Sequence, residues 1–283
     1  ILEFYGKLNL LKAGIVSANV VSTVSPTYAR EIKTPEYGFG LHGVLSKKEV
    51  AGITNGIDYK EWDPAKDPSI TATYSHNDLS GKKLCKGRLV EECGLENKTA
   101  PVAGMVGRIA SQKGIDLLLE IFEPVVRMGL NLVILGKGEE ALQRKLKERA
   151  KKYPGMAYVH VGFDEALAHE IMAGCDFSLM PSRYEPCGLS QLISMMYGTV
   201  PVARATGGIA DTVDDYNHIE KRGTGFLFRE YSASSFEECL KRALCVYSDE
   251  KSFLSLSADC MKRDFSWRKS AFEYRKMYGA LKK

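Results

Sequence analysis

From residue 52 onward, short apolar segments alternate with longer amphipathic ones, and no other feature constrains the fold as strongly. The apolar segments predict strands at Gly52–Ile57, Val102–Val106, Asn131–Leu135, Tyr158–Val161, Phe177–Met180 and Val200–Ala203. The segments between them predict helices at Lys82–Cys93, Ile115–Met128, Glu139–Lys152, Glu165–Ala173 and Leu189–Tyr197. Apolar strands alternating with helices are typical of an α/β fold in which helices cover both faces of a parallel sheet.

The two ends of the chain depart from this alternation. Residues 8–16 have helical spacing, and a strand-like segment follows at Val20–Val24. At the other end, three helical patterns succeed one another at Ser234–Tyr247, Lys251–Arg263 and Trp267–Leu281. The chain starts at Ile1, without methionine and within patterned sequence, which favours a piece of a longer polypeptide; N-terminal processing is the alternative.

Bulk composition excludes several classes of protein. The chain is 45% hydrophobic and 26% charged, as in ordinary globular domains, and its net charge of +4 is too small to indicate nucleic-acid binding. No apolar run approaches the roughly 20 residues that span a bilayer. The seven cysteines lack paired CxxC spacing, which predicts reduced thiols rather than disulfides or a zinc site. The histidines, including His42, His160, His169 and His218, show no metal-binding spacing either.

Polar clusters follow four of the predicted strands directly. They are Gly107–Arg108, Gly136–Gly138, Gly162–Phe163 and Ser182–Glu185. In open parallel sheets, ligands bind beyond the carboxyl ends of the strands. We therefore expect these clusters to share one site.

The segment Pro181–Gln191 carries the clearest chemical signal. It places Glu185 after a strand, then a tight Pro/Gly turn, then a helix start at Leu189. The first N–H groups of a helix are unpaired and bind anions, so an acid beside them suggests chemistry on a phosphorylated ligand. The alternative is a strand-to-helix turn with an exposed glutamate.

Further candidates surround this segment. Arg108 and Lys113 could neutralise a diphosphate, although either cation alone is more often a surface residue. Phe163 could stack on a base or lie in the core. The turn at Gly207 and Gly208 could approach a phosphate or sugar closely, or merely open a helix that Asp211 and Thr212 cap; Cys187 reads as a packing residue.

Taken together, these motifs resemble the bacterial glycogen synthase and plant starch synthase family, retaining glucosyltransferases with two Rossmann-like domains (the GT-B fold, family GT5). The motifs appear in family order at Ser25–Glu31, Thr54–Asp58, Gly107–Gly114, Arg183–Leu189, Thr206–Val213 and Asp264–Trp267. Related families have a second glutamate eight positions after the first, where this chain has Ile193. That difference fits the glycogen and starch synthase branch.

The resemblance implies roles for individual residues. Glu185, Arg108 and Lys113 would be catalytic, the two cations contacting the diphosphate and the acid lying near the donor glucose. The donor-binding set would be Asn55, Gly107, Phe163, Cys187, Gly188, Leu189, Ser190, Gly207 and Gly208. The implied reaction moves glucose from ADP-glucose to the non-reducing end of an α-1,4-glucan (glycogen, amylose or amylopectin), without a metal or other cofactor. There are two alternatives. The enzyme could use UDP-glucose as donor, or the chain could be a fragment that binds nucleotide or glucan without turnover.

The family pattern also predicts the domain organisation. Residues 1–51 match only the end of the family's N-terminal domain, whose Lys-x-Gly-Gly loop does not occur here. Residues 52–263 would form the nucleotide-sugar-binding domain, and 264–283 the helix that returns to the N-terminal domain, leaving its apolar stripe partly exposed. We expect little synthase activity from this chain alone. The expected compartment is the bacterial cytoplasm or the plastid stroma.

Overall fold

The structure is a computed structural model that describes residues 1–281. Its strands are β1 (Glu3–Phe4), β2 (Lys7–Leu8), β3 (Val21–Thr23), β4 (Val50–Gly52), β5 (Val102–Val106), β6 (Asn131–Gly136), β7 (Ala157–Val161), β8 (Phe177–Met180), β9 (Val200–Arg204) and β10 (Phe226–Phe228). Its helices are α1 (Leu10–Ser17), α2 (Pro26–Glu31), α3 (His42–Leu45), α4 (Ser80–Glu92), α5 (Ile115–Glu120), α6 (Phe122–Arg127), α7 (Glu140–Lys151), α8 (Glu165–Gly174), α9 (Ser190–Met196), α10 (Gly207–Thr212), α11 (Ala233–Tyr247), α12 (Glu250–Met261) and α13 (Trp267–Ala280).

A six-stranded parallel sheet organises most of the chain. Its strand order is β10-β9-β8-β5-β6-β7, so the chain moves outward from β5 to β7 and then crosses back to β8 on the other side of β5. The direction in which successive strands are added therefore reverses between β5 and β8, although all six strands are parallel. In doubly wound folds, the crevice at such a switch point is where ligands bind.

Burial explains why these strands read as continuous apolar runs. Every residue of β6 and β8 is buried, as are the first four residues of β5. One large core cluster covers one face of the sheet, and a smaller cluster beneath α4 and α8 covers the other. A parallel sheet with both faces covered has no polar face to alternate with the apolar one.

The predicted helices and strands are confirmed with small shifts, except that two predictions were wrong and one strand of the main sheet was not predicted. The segment Ile115–Met128 forms two helices, since Pro124 has no N–H to continue the first one. The predicted strand Gly52–Ile57 lies earlier, as β4, which pairs with β3. The edge strand β10 was missed because its three residues follow an irregular loop.

The Thr54–Asp58 motif packs against the Asp264–Trp267 motif near the C-terminal end of the chain. Ile57 donates its N–H to Phe265 C=O (2.8 Å), and Ser270 Oγ donates to Thr54 C=O (2.5 Å). A Cβ on Gly56 would lie 2.4 Å from the backbone of Trp267, so only glycine permits this approach. These contacts fix the start of α13 on the loop that carries Asn55.

The predicted apolar stripe at the end of the chain is partly exposed, as expected: Phe272, Tyr278 and Leu281 are exposed, whereas Tyr274 and Met277 are half-buried. Trp267, Phe272, Tyr278 and Leu281 all show large solvent-accessible fractions, and Ser270 is the helix's one buried residue among those described. Within residues 1–281, no helix combines the length and apolar character needed to cross a membrane.

Candidate active site

The candidate site lies at the switch point of the sheet. The segment Gly107–Gly114 leaves the carboxyl end of β5, and Pro181–Leu189 leaves the carboxyl end of the neighbouring β8. A Cβ on Gly114 would lie 2.0 Å from the Pro181 carbonyl oxygen, and the φ of Gly114 is 75°. Glycine at this position therefore lets the two segments touch.

Glu185 is buried and held by two donors. Its Oε2 accepts from Lys113 Nζ at 2.6 Å and from Ser182 Oγ at 3.0 Å, while the residue is only 6% exposed. A buried carboxylate needs such partners because its desolvation would otherwise be costly. The alternative of an exposed glutamate on a turn is therefore wrong.

Arg108 lies on the same segment as Lys113 but is exposed. Its Nη2 donates to Gln112 Oε1 (2.8 Å), and Gln112 Nε2 donates to Tyr184 C=O (2.6 Å). The Arg183 N–H in turn donates to the Gln112 carbonyl (2.9 Å). Gln112 thus ties the two segments together, leaving the guanidinium at the surface where an anion can reach it.

The start of α9 presents free donors beside this carboxylate. Gly188 has φ 73°, which turns the chain into the helix that begins at Ser190. Within residues 1–281, the N–H groups of Gly188, Leu189 and Ser190 have no hydrogen-bond acceptor. Such donors favour an anionic ligand.

Gly207 and Gly208 make their close approach to protein backbone. A Cβ on Gly207 would lie 1.9 Å from the Glu185 carbonyl oxygen, and one on Gly208 would lie 2.0 Å from that of Cys187. Gly208 N–H donates to Glu185 C=O (3.0 Å), and Gly207 N–H donates to the Glu31 carboxylate (3.0 and 3.1 Å). These glycines support the Glu185 turn from behind.

Solvent exposure decides between the alternatives for Phe163 and Cys187. Phe163 is 91% exposed, so the core alternative is wrong and its ring is available for stacking. Cys187 is buried, and burial raises the pKa of its thiol, against a weaker opposing hydrogen bond from the Asn55 backbone. A thiol with a raised pKa is a packing group rather than a nucleophile.

The contacts of several residues around the site were not predicted from the sequence. Gln112 and Ser182 stood inside the quoted motifs, but nothing in their spacing indicated that they hold Tyr184 and Glu185. Capping of α10 was one alternative for Asp211; in the structure its carboxylate accepts from the N–H (2.8 Å) and Oγ1 (2.6 Å) of Thr27. Contacts between residues this far apart in sequence need the fold to be known.

The arrangement suits chemistry on a diphosphate. Arg108 and Lys113 supply positive charge, the α9 start supplies N–H dipoles, and Glu185 supplies a fixed negative charge at the centre. Cations and preorganised dipoles stabilise a leaving group that gains negative charge.

Comparisons with known proteins agree with this geometry. A sequence model of the family described as "Glycosyl transferases group 1" matches residues 91–252, and one described as "Starch synthase catalytic domain" matches residues 1–47. The chain is 44% identical to the glycogen synthase of Thermodesulfovibrio yellowstonii and 46% identical to that of Koribacter versatilis, each over 99% of this chain. It spans only 56% and 58% of those two relatives' lengths.

Two solved glycosyltransferase structures have a similar fold. The catalytic domain of starch synthase IV from Arabidopsis thaliana, bound to ADP and acarbose, matches with a TM-score of 0.91 and 36% identity, covering 96% of this chain and 58% of that one. Sucrose-phosphate synthase from Thermosynechococcus elongatus matches with a TM-score of 0.65 at 19% identity, over 99% of this chain and 64% of that one, and shares the fold alone. Because the group 1 model covers more than half of its length, the chain belongs to the group 1 glycosyl transferases, among which it is similar to glycogen and starch synthases, and its fold is of the GT-B type.

Proposed function

We propose that this chain supplies the nucleotide-sugar side of an enzyme that transfers glucose from ADP-glucose to the non-reducing end of an α-1,4-glucan, with retained configuration. The observation that carries the proposal is the Lys113–Glu185 pair (2.6 Å) beside Arg108 at the switch point of the sheet. The glycogen synthase relatives and the starch synthase bound to ADP and acarbose support it. Glycogen, amylose and amylopectin are the acceptors of this chemistry.

The cations and the helix start would assist departure of ADP. Lys113 can bridge Glu185 and the diphosphate, while Arg108 reaches the diphosphate from the surface. Since two cations and the N–H groups at α9 supply positive potential, we propose that no metal is needed for this step. Glu185 would then orient the donor and stabilise the positive charge that builds on the sugar ring.

The nucleotide would lie along the carboxyl edge of the sheet. Phe163 follows β7 and exposes its ring, which suits stacking on adenine. Asn55 lies on the loop fixed by α13 and would reach the sugar. We propose these two residues, with Gly107 and the Gly188–Ser190 turn, as the donor-binding set; Cys187, Gly207 and Gly208 would shape that set from behind.

A donor-competition assay tests this proposal. The longest natural polypeptide that contains this chain is given glycogen with either ADP-glucose or UDP-glucose, and labelled glucose in the polymer is counted. We expect transfer from ADP-glucose to exceed transfer from UDP-glucose. Preference for UDP-glucose would support the rival donor, and ADP binding without transfer from either donor would support a non-catalytic protein.

Nucleotide binding can be measured on the 283-residue chain itself. Calorimetric titration with ADP should show binding that weakens in Arg108→Ala and Lys113→Ala by about tenfold or more, since each variant loses a charged contact to phosphate. Arg144→Ala, which removes an exposed arginine on α7, serves as the control. Equal affinity in all four proteins would remove both cations from the nucleotide site.

A further inference from the structure

A buried histidine on α8 is held in a fixed orientation. His169 is 3% exposed, its Nδ1 lies 2.7 Å from Asp67 Oδ2, and its ring stacks on Trp62 with centroids 4.0 Å apart and an interplanar angle of 9°. Asp67 also accepts from Tyr197 Oη and from the Ser69 N–H. A carboxylate that only accepts requires a proton on Nδ1, so in the neutral imidazole the lone pair lies on Nε2.

Two glutamates lie next to this ring. Glu61, Glu165 and His169 each offer one ligand atom, and these atoms all lie within 4.8 Å of one another. Because Nδ1 is engaged by Asp67, Nε2 is the histidine's available atom, and it has no hydrogen-bond partner within residues 1–281. Glu165 and His169 are four residues apart in α8 and so share one helix face.

The two carboxylates also lack a cation. Across the part of the chain that the structure describes, neither Glu61 nor Glu165 forms an ion pair with lysine or arginine, and both are exposed. Two like charges near one another repel, and a bound cation between them removes that repulsion.

We propose that Nε2 of His169 and the carboxylates of Glu61 and Glu165 bind a divalent transition metal, with Zn²⁺ the best fit. Imidazole nitrogen and carboxylate oxygen are both zinc ligands, and in sites with three protein ligands water takes the fourth position. Mg²⁺ and Ca²⁺ prefer oxygen ligands alone, which argues against them. Asp67 supplies the carboxylate that metal-bound histidines usually hold through their other nitrogen.

The glutamate side chains can close around the ion. Zinc–ligand distances of about 2.0–2.2 Å place neighbouring ligands roughly 3.5 Å apart, so separations of up to 4.8 Å would have to shrink by no more than about 1.3 Å. Glu61 and Glu165 are exposed and free to change rotamer, whereas His169 is fixed. The histidine would therefore set the position and the glutamates would adapt.

Such a metal would add to the contacts that already join two parts of the structure, among them the Asp67–His169 hydrogen bond and the Trp62–His169 stack. Glu61 lies on the irregular segment between β4 and α4, and Glu165 and His169 lie on α8. A shared ion would fasten that segment to the helix and stabilise the folded state by mass action. It would also fix the backbone two residues from Phe163.

Zinc titration of three glutamate variants tests the site. The experiment uses the 283-residue chain with Cys245→Ser, which removes the one exposed thiol among the described cysteines, and compares Glu61→Gln, Glu165→Gln and the control Glu140→Gln. Glu140 is an exposed glutamate in the first turn of α7, so its variant repeats the charge change elsewhere. All three substitutions are at exposed positions and leave the core intact.

Calorimetry and thermal unfolding give the readouts. We expect one Zn²⁺ per chain, with a Tm that rises on adding Zn²⁺, in the parent and in Glu140→Gln. Glu61→Gln and Glu165→Gln should bind Zn²⁺ at least tenfold more weakly and lose the Tm increase. Absence of binding, or equal binding in all four proteins, would overturn the proposal, as would tighter binding of Mg²⁺ than of Zn²⁺.

Discussion

At the scale of single residues, Glu185 shows which features of the site the sequence predicts and which require the structure. The sequence placed an acid between a strand and a helix start, and that was enough to predict an anion site. Its contact with Lys113 could not be predicted, because Lys113 lies 72 residues earlier in the chain. Contact with Lys113 depends on β5 and β8 being neighbours, which only the sheet order establishes.

Replacing Glu185 tests its part in the proposed reaction. Glu185→Gln keeps the shape but removes the negative charge, so turnover by the natural polypeptide should fall about 10²–10³-fold, as when other preorganised charges are removed. ADP affinity should change little, since the amide leaves Lys113 free to bind phosphate. Steady-state kinetics with ADP-glucose, together with ADP calorimetry, separate the two effects. Glu120→Gln, an exposed substitution on α5, is the control, and near-normal turnover in Glu185→Gln would exclude the residue from the mechanism.

Alanine substitutions at Gly207 and Gly87 should have opposite effects on stability. Gly207→Ala should lower the free energy of unfolding by more than about 1 kcal/mol, because its φ of 46° is strained for alanine and its Cβ would meet the Glu185 carbonyl oxygen. Gly87 lies in the exposed middle of α4, and a Cβ added there would meet no atom within 4 Å, so Gly87→Ala should raise stability by about 0.5–1 kcal/mol. Urea denaturation of both variants measures the difference; a stabilising Gly207→Ala would contradict the packing role.

At the scale of secondary structure, strong patterns predicted most elements and weak ones did not. Buried strands such as β6 and β8 are continuous apolar runs between turn residues, so their positions were clear. The break at Ile121 was missed because helical periodicity continues through Pro124. The edge strand β10 has three residues and too little pattern to detect.

A buried lysine fastens α4 to the elements behind it. Lys82 Nζ donates to the carbonyls of Ala173 (2.9 Å) and Tyr197 (3.0 Å) and to Thr199 Oγ1 (2.8 Å). Burial lowers the pKa of Lys82 from 10.5 to about 8, with Asp176 acting weakly in the opposite direction. The folded state therefore binds this proton less tightly than the unfolded chain does, which gives the stability a specific pH dependence.

The expected dependence can be isolated with Lys82→Met. Between pH 8 and pH 10.5 the unfolded state holds the Lys82 proton and the folded state releases it, so the wild type gains stability as pH rises through this window. Relative to Lys82→Met, that gain should reach up to about 3 kcal/mol. Below pH 8 the difference between the two proteins should not vary with this group. Urea denaturation across the window measures it; a difference that falls as pH rises would show that the folded state prefers the charged lysine.

At the scale of the whole molecule, the family motifs serve to hold separate parts together. The Thr54–Asp58 motif binds the start of α13, and α2, from the Ser25–Glu31 motif, lies on α10 through Thr27–Asp211 and Glu31–Gly207 contacts. From the sequence alone, these motifs could be recognised as family markers, but their contacts could not be predicted. Their partners lie up to 216 residues away, beyond the reach of local patterns.

The contact of Glu31 with α10 should govern how firmly residues 1–51 stay in place. Its carboxylate accepts from Gly207 N–H (3.0 and 3.1 Å) and Thr206 Oγ1 (3.1 Å), at the positive end of the helix. Glu31→Ala removes these bonds at a cost of about 1 kcal/mol, which should raise opening of α2 about fivefold. Faster amide hydrogen exchange in residues 21–31, with unchanged exchange in β6, would report that opening. Glu36→Ala, at an exposed position nearby, controls for the loss of a carboxylate, and unchanged exchange in Glu31→Ala would mean that other contacts hold α2 on the sheet domain.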